Sequence, residues 1–179
     1  MSRPFTKTVL ALGSNLGERN DTLSTAVADL VDRPEVRLLG VSPVVQTKPV
    51  GGPAGQADFL NLVIAVETTL APLELLQHCH EVEQKHHRVR EVRWGPRTLD
   101  VDIIVFGELV SDDETLTLPH PRAAERAFVL YPWSLLDPSA RLNGQSVGEL
   151  AARAADMPDI RPFDGYGDVA GVPATGAVE

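Results

Sequence analysis

Apolar residues along this chain occur in two patterns: short continuous runs, and positions spaced three or four residues apart. Continuous runs bounded by Gly, Pro or Asp predict buried strands, whereas the wider spacing predicts amphipathic helices. The predicted strands are 8–12, 36–46 with an interruption at Pro43, Phe59–Thr68, and 99–106. The predicted helices are 22–31 capped by Asp21, one that begins at Pro72 and continues through Glu83, 123–136 with a break near Pro132, and 147–155.

The order of these elements is strand, helix, strand, strand, helix, strand, followed mainly by helix. That order is the ferredoxin-like βαββαβ arrangement, whose strands form an antiparallel sheet. We therefore expect an α+β fold of two or three layers, with a three-layer αβα sandwich as our prediction. Residues 1–156 are expected to form one domain. Residues 157–179, rich in Pro, Gly, Ala and Asp, predict a flexible C-terminal tail, and residues 13–17 and 47–58 predict a turn and a long loop.

Composition and charge narrow the range of partners. The 179-residue chain is 43% hydrophobic and carries a formal net charge of −9, which argues against binding nucleic acid or an anionic membrane surface. Its single cysteine, Cys79, excludes an internal disulfide and is consistent with a reducing compartment. The N-terminal residues have no apolar signal core, and no apolar run reaches the length of a membrane span. We expect a monomeric cytoplasmic protein with small-molecule partners.

Two aspartates, Asp100 and Asp102, lie in the predicted strand 99–106, and residues two apart on a strand point to the same face. Adjacent carboxylates repel each other unless a cation lies between them, and Mg²⁺ prefers carboxylate oxygens together with substrate phosphates. Arginines precede the pair at positions 88, 90, 93 and 97, and guanidinium groups match phosphate oxygens in geometry. This combination predicts a site for a metal-bound polyphosphate. The simpler interpretations are a strand edge kept polar against aggregation and a solvated basic turn.

Five segments of the sequence carry a family resemblance. They are ALGSNLG (11–17), QT (46–47), FLN (59–61), RWGPRTLDVD (93–102), and PHPR (119–122) followed by RAF (126–128). With these motifs in this order, the chain resembles the 6-hydroxymethyl-7,8-dihydropterin pyrophosphokinase family over residues 8–138. The resemblance implies transfer of a pyrophosphoryl group from the co-substrate ATP to the hydroxymethyl oxygen of the pterin, with release of AMP, in the synthesis of tetrahydrofolate. It also implies that the turn at 13–17 lies near the pterin.

The resemblance further implies roles for individual residues. Two Mg²⁺ ions would be bound by Asp100 and Asp102. Arg88 and Arg97 would bind phosphates and assist the transfer. The further ATP-binding positions are Glu83, Arg90, Ile103, Thr117, His120 and Arg126. The pterin-binding positions are Thr47, Val50, Phe59, Asn61, Trp94, Asp100 and Phe128. Within that last set, the two phenylalanines would stack on the ring and the amide of Asn61 would hydrogen-bond to its edge.

Structural interpretations compete with these roles. Phenylalanines are usually core residues, a lone histidine is more often structural than functional, and Asn61 also fits a cap at a strand start. Four histidines on the second long helix suggest zinc, but no cysteine or carboxylate completes a plausible tetrahedral set. Two rival functions share part of the pattern. A two-metal nucleotide phosphohydrolase has no use for an aromatic pair beside an amide, and a non-catalytic pterin- or nucleotide-binding protein has no use for the intact set of Arg97, Asp100 and Asp102.

Overall fold

The structure is a computed structural model that describes residues 3–15, 19–48, 58–90 and 98–163. The strands are β1 (Thr6–Asn15), β2 (Val36–Val41), β3 (Val45–Thr47), β4 (Phe59–Thr68), β5 (Thr98–Phe106), β6 (Ser111–Asp112), β7 (Thr117–Leu118), β8 (Arg141–Leu142), β9 (Gln145–Ser146) and β10 (Arg161–Pro162). The helices are α1 (Arg19–Leu30), α2 (Pro72–Arg90), α3 (Ala127–Leu136) and α4 (Val147–Arg153), with short 3₁₀ turns at Ala123–Glu125 and Met157–Asp159. No helix within these ranges is long and apolar enough to cross a membrane.

One antiparallel sheet forms the centre of the fold, and its strand order is β10–β3–β4–β1–β5, with β2 also paired to β4. Strands β1 and β4 pair over their full ten residues, from Thr6 opposite Thr68 to Asn15 opposite Phe59. The other side of β1 pairs with β5. The two remaining pairs, β6–β7 and β8–β9, are small hairpins outside this sheet. The predicted βαββαβ order is confirmed.

Helices cover both faces of the sheet, which confirms the three-layer prediction. Because successive strand residues point to opposite faces, Leu10 and Leu12 enter one core while Ala11 enters the other. The first core lies under α1 and α2 and contains Leu23, Val27, Leu75 and Cys79 among its buried residues. The second lies under α3 and α4 and contains Val63, Val129, Leu130 and Ala151. Both faces of the central strands are therefore buried along most of their length.

Three of the differences between observed and predicted element boundaries concern a turn, a cap and a break in a helix. Strand β1 continues through residues 13–15, which were expected to form a turn, because each of them pairs with a residue of β4. Helix α1 begins at Arg19, so Asp21 lies inside the helix rather than capping it. Helix α3 continues through Pro132, which is buried, and the break in this region lies at Arg126 instead. Helix α3 starts where it does because its first amide is capped by a residue distant in the sequence, which local pattern does not reveal.

The segment predicted to begin a flexible tail at residue 157 has regular structure as far as Phe163. A 3₁₀ turn, Met157–Asp159, is followed by β10, which pairs with Gln46 and Val45 of β3. The side chain of Phe163 packs against the core under α1 and α2. This pairing gives hydrogen-bond partners in β3 to backbone N–H and C=O groups of the segment. From the composition of the segment, these groups were expected to be hydrogen-bonded to water. The remainder of the predicted tail, 164–179, lies outside the described residues.

Candidate active site

A cleft of about 580 Å³ opens on the α3 side of the sheet, between the ends of the central strands and the start of α3. It brings together residues from six separate parts of the sequence. Seven of the predicted site residues line it: Thr47, Phe59, Asn61, Asp100, Asp102, Arg126 and Phe128. The backbone registers explain why the five strand residues among them meet, since β3, β4 and β5 carry them at the same end of the sheet, and the start of α3 adds Arg126 and Phe128.

One row of the sheet runs from Asn61 on β4, through Gly13 on β1, to Asp100 on β5. Asn61 is only 6% exposed, and its Nδ2 donates a hydrogen bond of 3.2 Å to Oγ1 of Thr47 on the adjacent β3. A Cβ atom built on Gly13 would lie 2.8 Å from Oδ1 of Asn61. Position 13 therefore has to be glycine for the amide to lie as it does. Gly13 belongs to the motif that the family resemblance places near the pterin. The close approach of Asn61, rather than a turn, explains why this position is glycine.

The two aspartates lie side by side on the cleft face of β5, as predicted. Asp100 is opposite Gly13 and Asp102 is opposite Ala11, while the side chain of Val101 between them is buried in the opposite core. The backbone N–H of Val101 donates a 3.1 Å hydrogen bond to Oε2 of Glu83 on α2. Glu83 thus supports the strand between the aspartates, and it does not line the cleft. Burial raises the pKa of the Glu83 carboxyl, and the charges of Asp100 and Asp102 add to that rise.

Two aromatic side chains, Phe59 from β4 and Phe128 from α3, line the cleft and are partly exposed to it. The guanidinium group of Arg126 lies 5.5 Å from the centre of the Phe128 ring, within the range of a cation–π contact. Arg126 itself lines the cleft. Both rings are partly exposed, and Phe128 also packs against the core under α3 and α4, so their proposed role in stacking stays a prediction.

His120 lies within the electrostatic influence of Asp102, Arg126 and Arg122, three residues that line the cleft. Its backbone N–H donates to the carbonyl oxygen of Ile104 on β5 at 2.8 Å, and its Nδ1 accepts from the backbone N–H of Arg122 at 3.2 Å. Burial lowers the pKa of the imidazole; the Asp102 charge opposes this effect, and Arg126 and Arg122 reinforce it. The lowered pKa favours the neutral ring at physiological pH. Because Nδ1 accepts from Arg122, the neutral ring carries its proton on Nε2 and can donate one hydrogen bond from that atom.

Several predicted residues lie elsewhere. The side chain of Ile103 is 3% exposed and packs in the core under α1 and α2, so it does not face the cleft. Thr117, on β7, donates its hydroxyl to the carbonyl oxygen of Asp113. The backbones of Arg88 and Arg90 belong to the last turn of α2, and the predictions for their side chains concern atoms outside the described part of the chain. The predictions for Val50, Arg93, Trp94 and Arg97 concern positions outside the described residues.

The cleft also contains residues that the sequence analysis did not identify as site residues. Arg122 belongs to the PHPR motif but received no role of its own, and Lys48 follows Thr47 directly. Three more come from the end of the described chain: Asp156, Asp159 and Ile160. No local signal marks these three, because their segment resembles a polar tail in composition. They contribute one wall of the cleft because β10 returns to pair with β3 and because Asp156 bonds to the first amide of α3.

The donor set at the aspartate pair suits a hard cation. Mg²⁺ usually keeps several waters and takes one or two protein carboxylates together with substrate phosphates. Two carboxylates on one face of a strand, at the wall of an open cleft, match that requirement. Among the described side chains, with His78, His80 and His86 of α2 included, no group of three or more His, Cys, Asp or Glu could hold a metal by itself.

Residues 9–138 match the family described as 7,8-dihydro-6-hydroxymethylpterin-pyrophosphokinase. The chain belongs to this family. A Pseudomonas aeruginosa protein named 2-amino-4-hydroxy-6-hydroxymethyldihydropteridine pyrophosphokinase is 45% identical over 157 residues, 87% of this chain and 92% of that relative. A Bacillus subtilis pyrophosphokinase of the same name is 46% identical over 123 residues, 69% of this chain and 73% of the relative. The predicted family is confirmed.

Solved structures support the fold of the pyrophosphokinase family for this chain. A Plasmodium falciparum HPPK-DHPS chain, crystallised with pterin and p-hydroxybenzoate, superposes with a TM-score of 0.66 over 89% of this chain. The two sequences are 14% identical, so this likeness concerns the fold alone. The present chain spans about half of that solved chain, 48% of its length.

Proposed function

We infer that this chain transfers a pyrophosphoryl group from ATP to 6-hydroxymethyl-7,8-dihydropterin, in the synthesis of tetrahydrofolate. The observation that carries the proposal is one cleft holding two aromatic rings, a buried amide and a pair of carboxylates, in a chain of the pyrophosphokinase family. A nucleotide hydrolase would need the carboxylates alone. A flat heterocycle with hydrogen-bonding edges accounts for the rest of the lining.

The pterin half of the cleft is proposed to be the space between Phe59, Phe128 and Asn61. Among the described residues, Thr47 takes one of the two amide N–H groups of Asn61, so one N–H and the carbonyl oxygen are available to a ring edge. Neighbouring strands lie about 4.8 Å apart, so the backbones of Asn61 and Asp100, two strands apart, are separated by roughly 10 Å. A bicyclic ring held at the Asn61 end would direct its hydroxymethyl group towards the aspartates.

Asp100 and Asp102 are proposed to hold the two Mg²⁺ ions that the family resemblance implies. When bound, Mg²⁺ would neutralise negative charge on the ATP phosphates. The chain's own contribution is to fix both carboxylates on one rigid strand. On one side, β5 is held by its pairing with β1. On the other side, it is held by the hydrogen bond that the N–H of Val101 donates to Glu83.

The proposed reaction is a direct displacement at the β-phosphorus of ATP. The pterin hydroxyl oxygen forms a bond to that phosphorus, the bond to the α-phosphate oxygen breaks, and AMP leaves, while the hydroxyl proton passes to water. Positioning and charge stabilisation would supply the catalysis, as in other phosphoryl transfers. Arg126 and neutral His120 are proposed to contact ATP beside Asp102. Arg88 and Arg97 remain our proposed phosphate ligands.

The deciding experiment is incubation with ATP, Mg²⁺ and 6-hydroxymethyl-7,8-dihydropterin, followed by quantification of AMP and the diphosphorylated pterin. The expected result is stoichiometric formation of both products, dependent on all three components. Rapid ATP breakdown without the pterin would favour the phosphohydrolase. Tight binding of ligands in calorimetry, without AMP release, would favour the non-catalytic binding protein.

We also propose that the enzyme acts as a single-domain monomer in the cytoplasm, with no nucleic-acid or membrane partner. Its net charge of −9 supports the last point, because an acidic surface repels polyanions. Light scattering coupled to gel filtration should give the mass of one 19.3 kDa chain, and cell fractionation should recover the protein with the cytosol.

A further inference from the structure

Residues 154–163, here called the C-terminal arm, follow α4 and pass the start of α3 before reaching the outer edge of β3. The arm lies beyond the family match, which ends at residue 138. It nevertheless provides part of the lining of the cleft through Asp156, Asp159 and Ile160. Its two ends are anchored in different layers: Met157 packs against the core under α3 and α4, and Phe163 against the core under α1 and α2.

At its first anchor, the arm supplies the cap of α3. Oδ1 of Asp156 accepts a hydrogen bond of 2.9 Å from the backbone N–H of Ala127, the first residue of that helix. The preceding residue, Arg126, makes no side-chain cap of its own. Ala127 lies directly between Arg126 and Phe128, which both line the cleft. One carboxylate from the arm therefore fixes the turn that carries the charged and the aromatic lining residues.

At its second anchor, the arm holds the strand on the opposite side of the cleft. Arg161 and Pro162 pair with Gln46 and Val45, and the N–H of Phe163 donates to the carbonyl oxygen of Val44 at 3.2 Å. Thr47 follows Gln46 in β3, and its hydroxyl oxygen accepts the hydrogen bond from Nδ2 of Asn61. The arm thus connects the helix that carries Phe128 to the strand that carries Thr47.

We propose that the C-terminal arm is a structural wall of the pterin site, and that Asp156 is a positioning residue that acts through Phe128 and Arg126. The proposal rests on the proposed function, since it assigns the aromatic half of the cleft to the pterin. Without the cap, the first turn of α3 would fray and would have to be ordered again on binding. That ordering cost would appear in the affinity for pterin.

The test compares Asp156→Ala with Asp156→Asn and with Ser146→Ala. Asparagine keeps an acceptor oxygen and is as good a helix cap as aspartate. Ser146 caps the neighbouring helix α4 by accepting from the N–H of Glu149, and it is not among the residues lining the cleft, so its loss is a matched control. The readouts are the Kd for pterin by calorimetry, the KM for ATP, and the melting temperature.

We expect Asp156→Ala to raise the Kd for pterin about five- to tenfold, which corresponds to a typical cap energy, and to raise the KM for ATP as well, because Arg126 belongs to the same turn. Asp156→Asn should restore pterin affinity, and Ser146→Ala should lower the melting temperature without changing that affinity. An unchanged pterin Kd in Asp156→Ala, or an equal loss of pterin affinity in Ser146→Ala, would overturn the proposal.

If Asp156→Ala does not fold, Ile160→Ala replaces it. A pterin Kd raised at least threefold by Ile160→Ala supports the arm as a wall of the site, and an unchanged Kd refutes it. A wild-type chain that binds no pterin would instead refute the proposed function.

Discussion

Replacing Gly13 with alanine should weaken pterin binding while leaving the fold intact. The added Cβ would lie 2.8 Å from Oδ1 of Asn61, whereas the next nearest atoms, Cγ of Asn61 and the carbonyl oxygen of Leu60, are at 3.9 and 4.0 Å. Among the described residues, the one obstacle is therefore the end of a side chain. Gly13 is not among the described glycines with positive φ, so its backbone conformation suits alanine. The Asn61 amide has to move, and its hydrogen bond to Thr47 is the contact at risk.

The expected magnitudes differ for stability and for binding. A buried hydrogen bond of this kind contributes about 1 kcal/mol to folding. Replacement of glycine by alanine restores about 0.4–1 kcal/mol by restricting the unfolded chain. The two nearly cancel, so the melting temperature should shift by less than about 4 °C. A displaced amide would leave polar groups of the bound ring unpaired, which costs about 1–3 kcal/mol, or about 5- to 150-fold in Kd.

Calorimetric titration with the pterin provides the assay, and two controls sharpen it. Gly148→Ala adds a Cβ with ordinary contacts at 3.8 Å in helix α4, so it should leave pterin affinity unchanged. In an Asn61→Ala background, Gly13→Ala has nothing to displace and should have little further effect on binding. The reasoning is refuted if Gly13→Ala binds pterin with the wild-type Kd, or if its effect is equally large in both backgrounds.

Three further predictions follow from other residues. Asp102→Ala should lower AMP production by about a hundredfold or more while pterin still binds, since several kcal/mol of charge stabilisation are lost; near-normal turnover would show that the metal assignment is wrong. Burial raises the pKa of Glu83 in the folded state above its ordinary 4.5. Between these two pKa values the folded state binds more protons than the unfolded state, so the free energy of unfolding falls as the pH rises through that range. Glu83→Gln, which keeps an acceptor for the N–H of Val101, should reduce that fall in thermal unfolding; an unchanged pH profile would contradict this. Cys79 is fully buried and burial raises its thiol pKa to about 12, so a thiol reagent at mildly alkaline pH should label it only after unfolding; rapid labelling of the folded protein would count against the core assignment.

Periodic patterns predict most of this fold because local rules and tertiary packing agree there. The run Phe59–Thr68 is a strand with the bounds that its composition indicates, and Pro72 begins α2 as its fixed φ favours. The alternation of a strand likewise suffices to put Asp100 and Asp102 on one face. These features depend on residues that are close together in the sequence, and a periodic pattern describes only such residues.

The features that sequence reasoning missed depend on contacts between distant segments. The start of α3 is determined by Asp156, 29 residues beyond the amide that it caps. The arm itself becomes ordered because β3 offers a free edge, which the composition of residues 157–163 does not encode. Glu83 illustrates a third case: its family position suggested a ligand contact, whereas its carboxylate bonds to the backbone between the two aspartates. Register and tertiary capping, rather than propensity, decide such positions.

The position of β1 in the sheet has a consequence for folding during translation. This strand is synthesised before both of its partners, since β4 ends at Thr68 and β5 at Phe106. Until those segments leave the ribosome, the apolar run of β1 has neither hydrogen-bonding neighbour. Because non-local pairing is slow and exposes strand edges meanwhile, the nascent chain should depend on holdase chaperones over this interval.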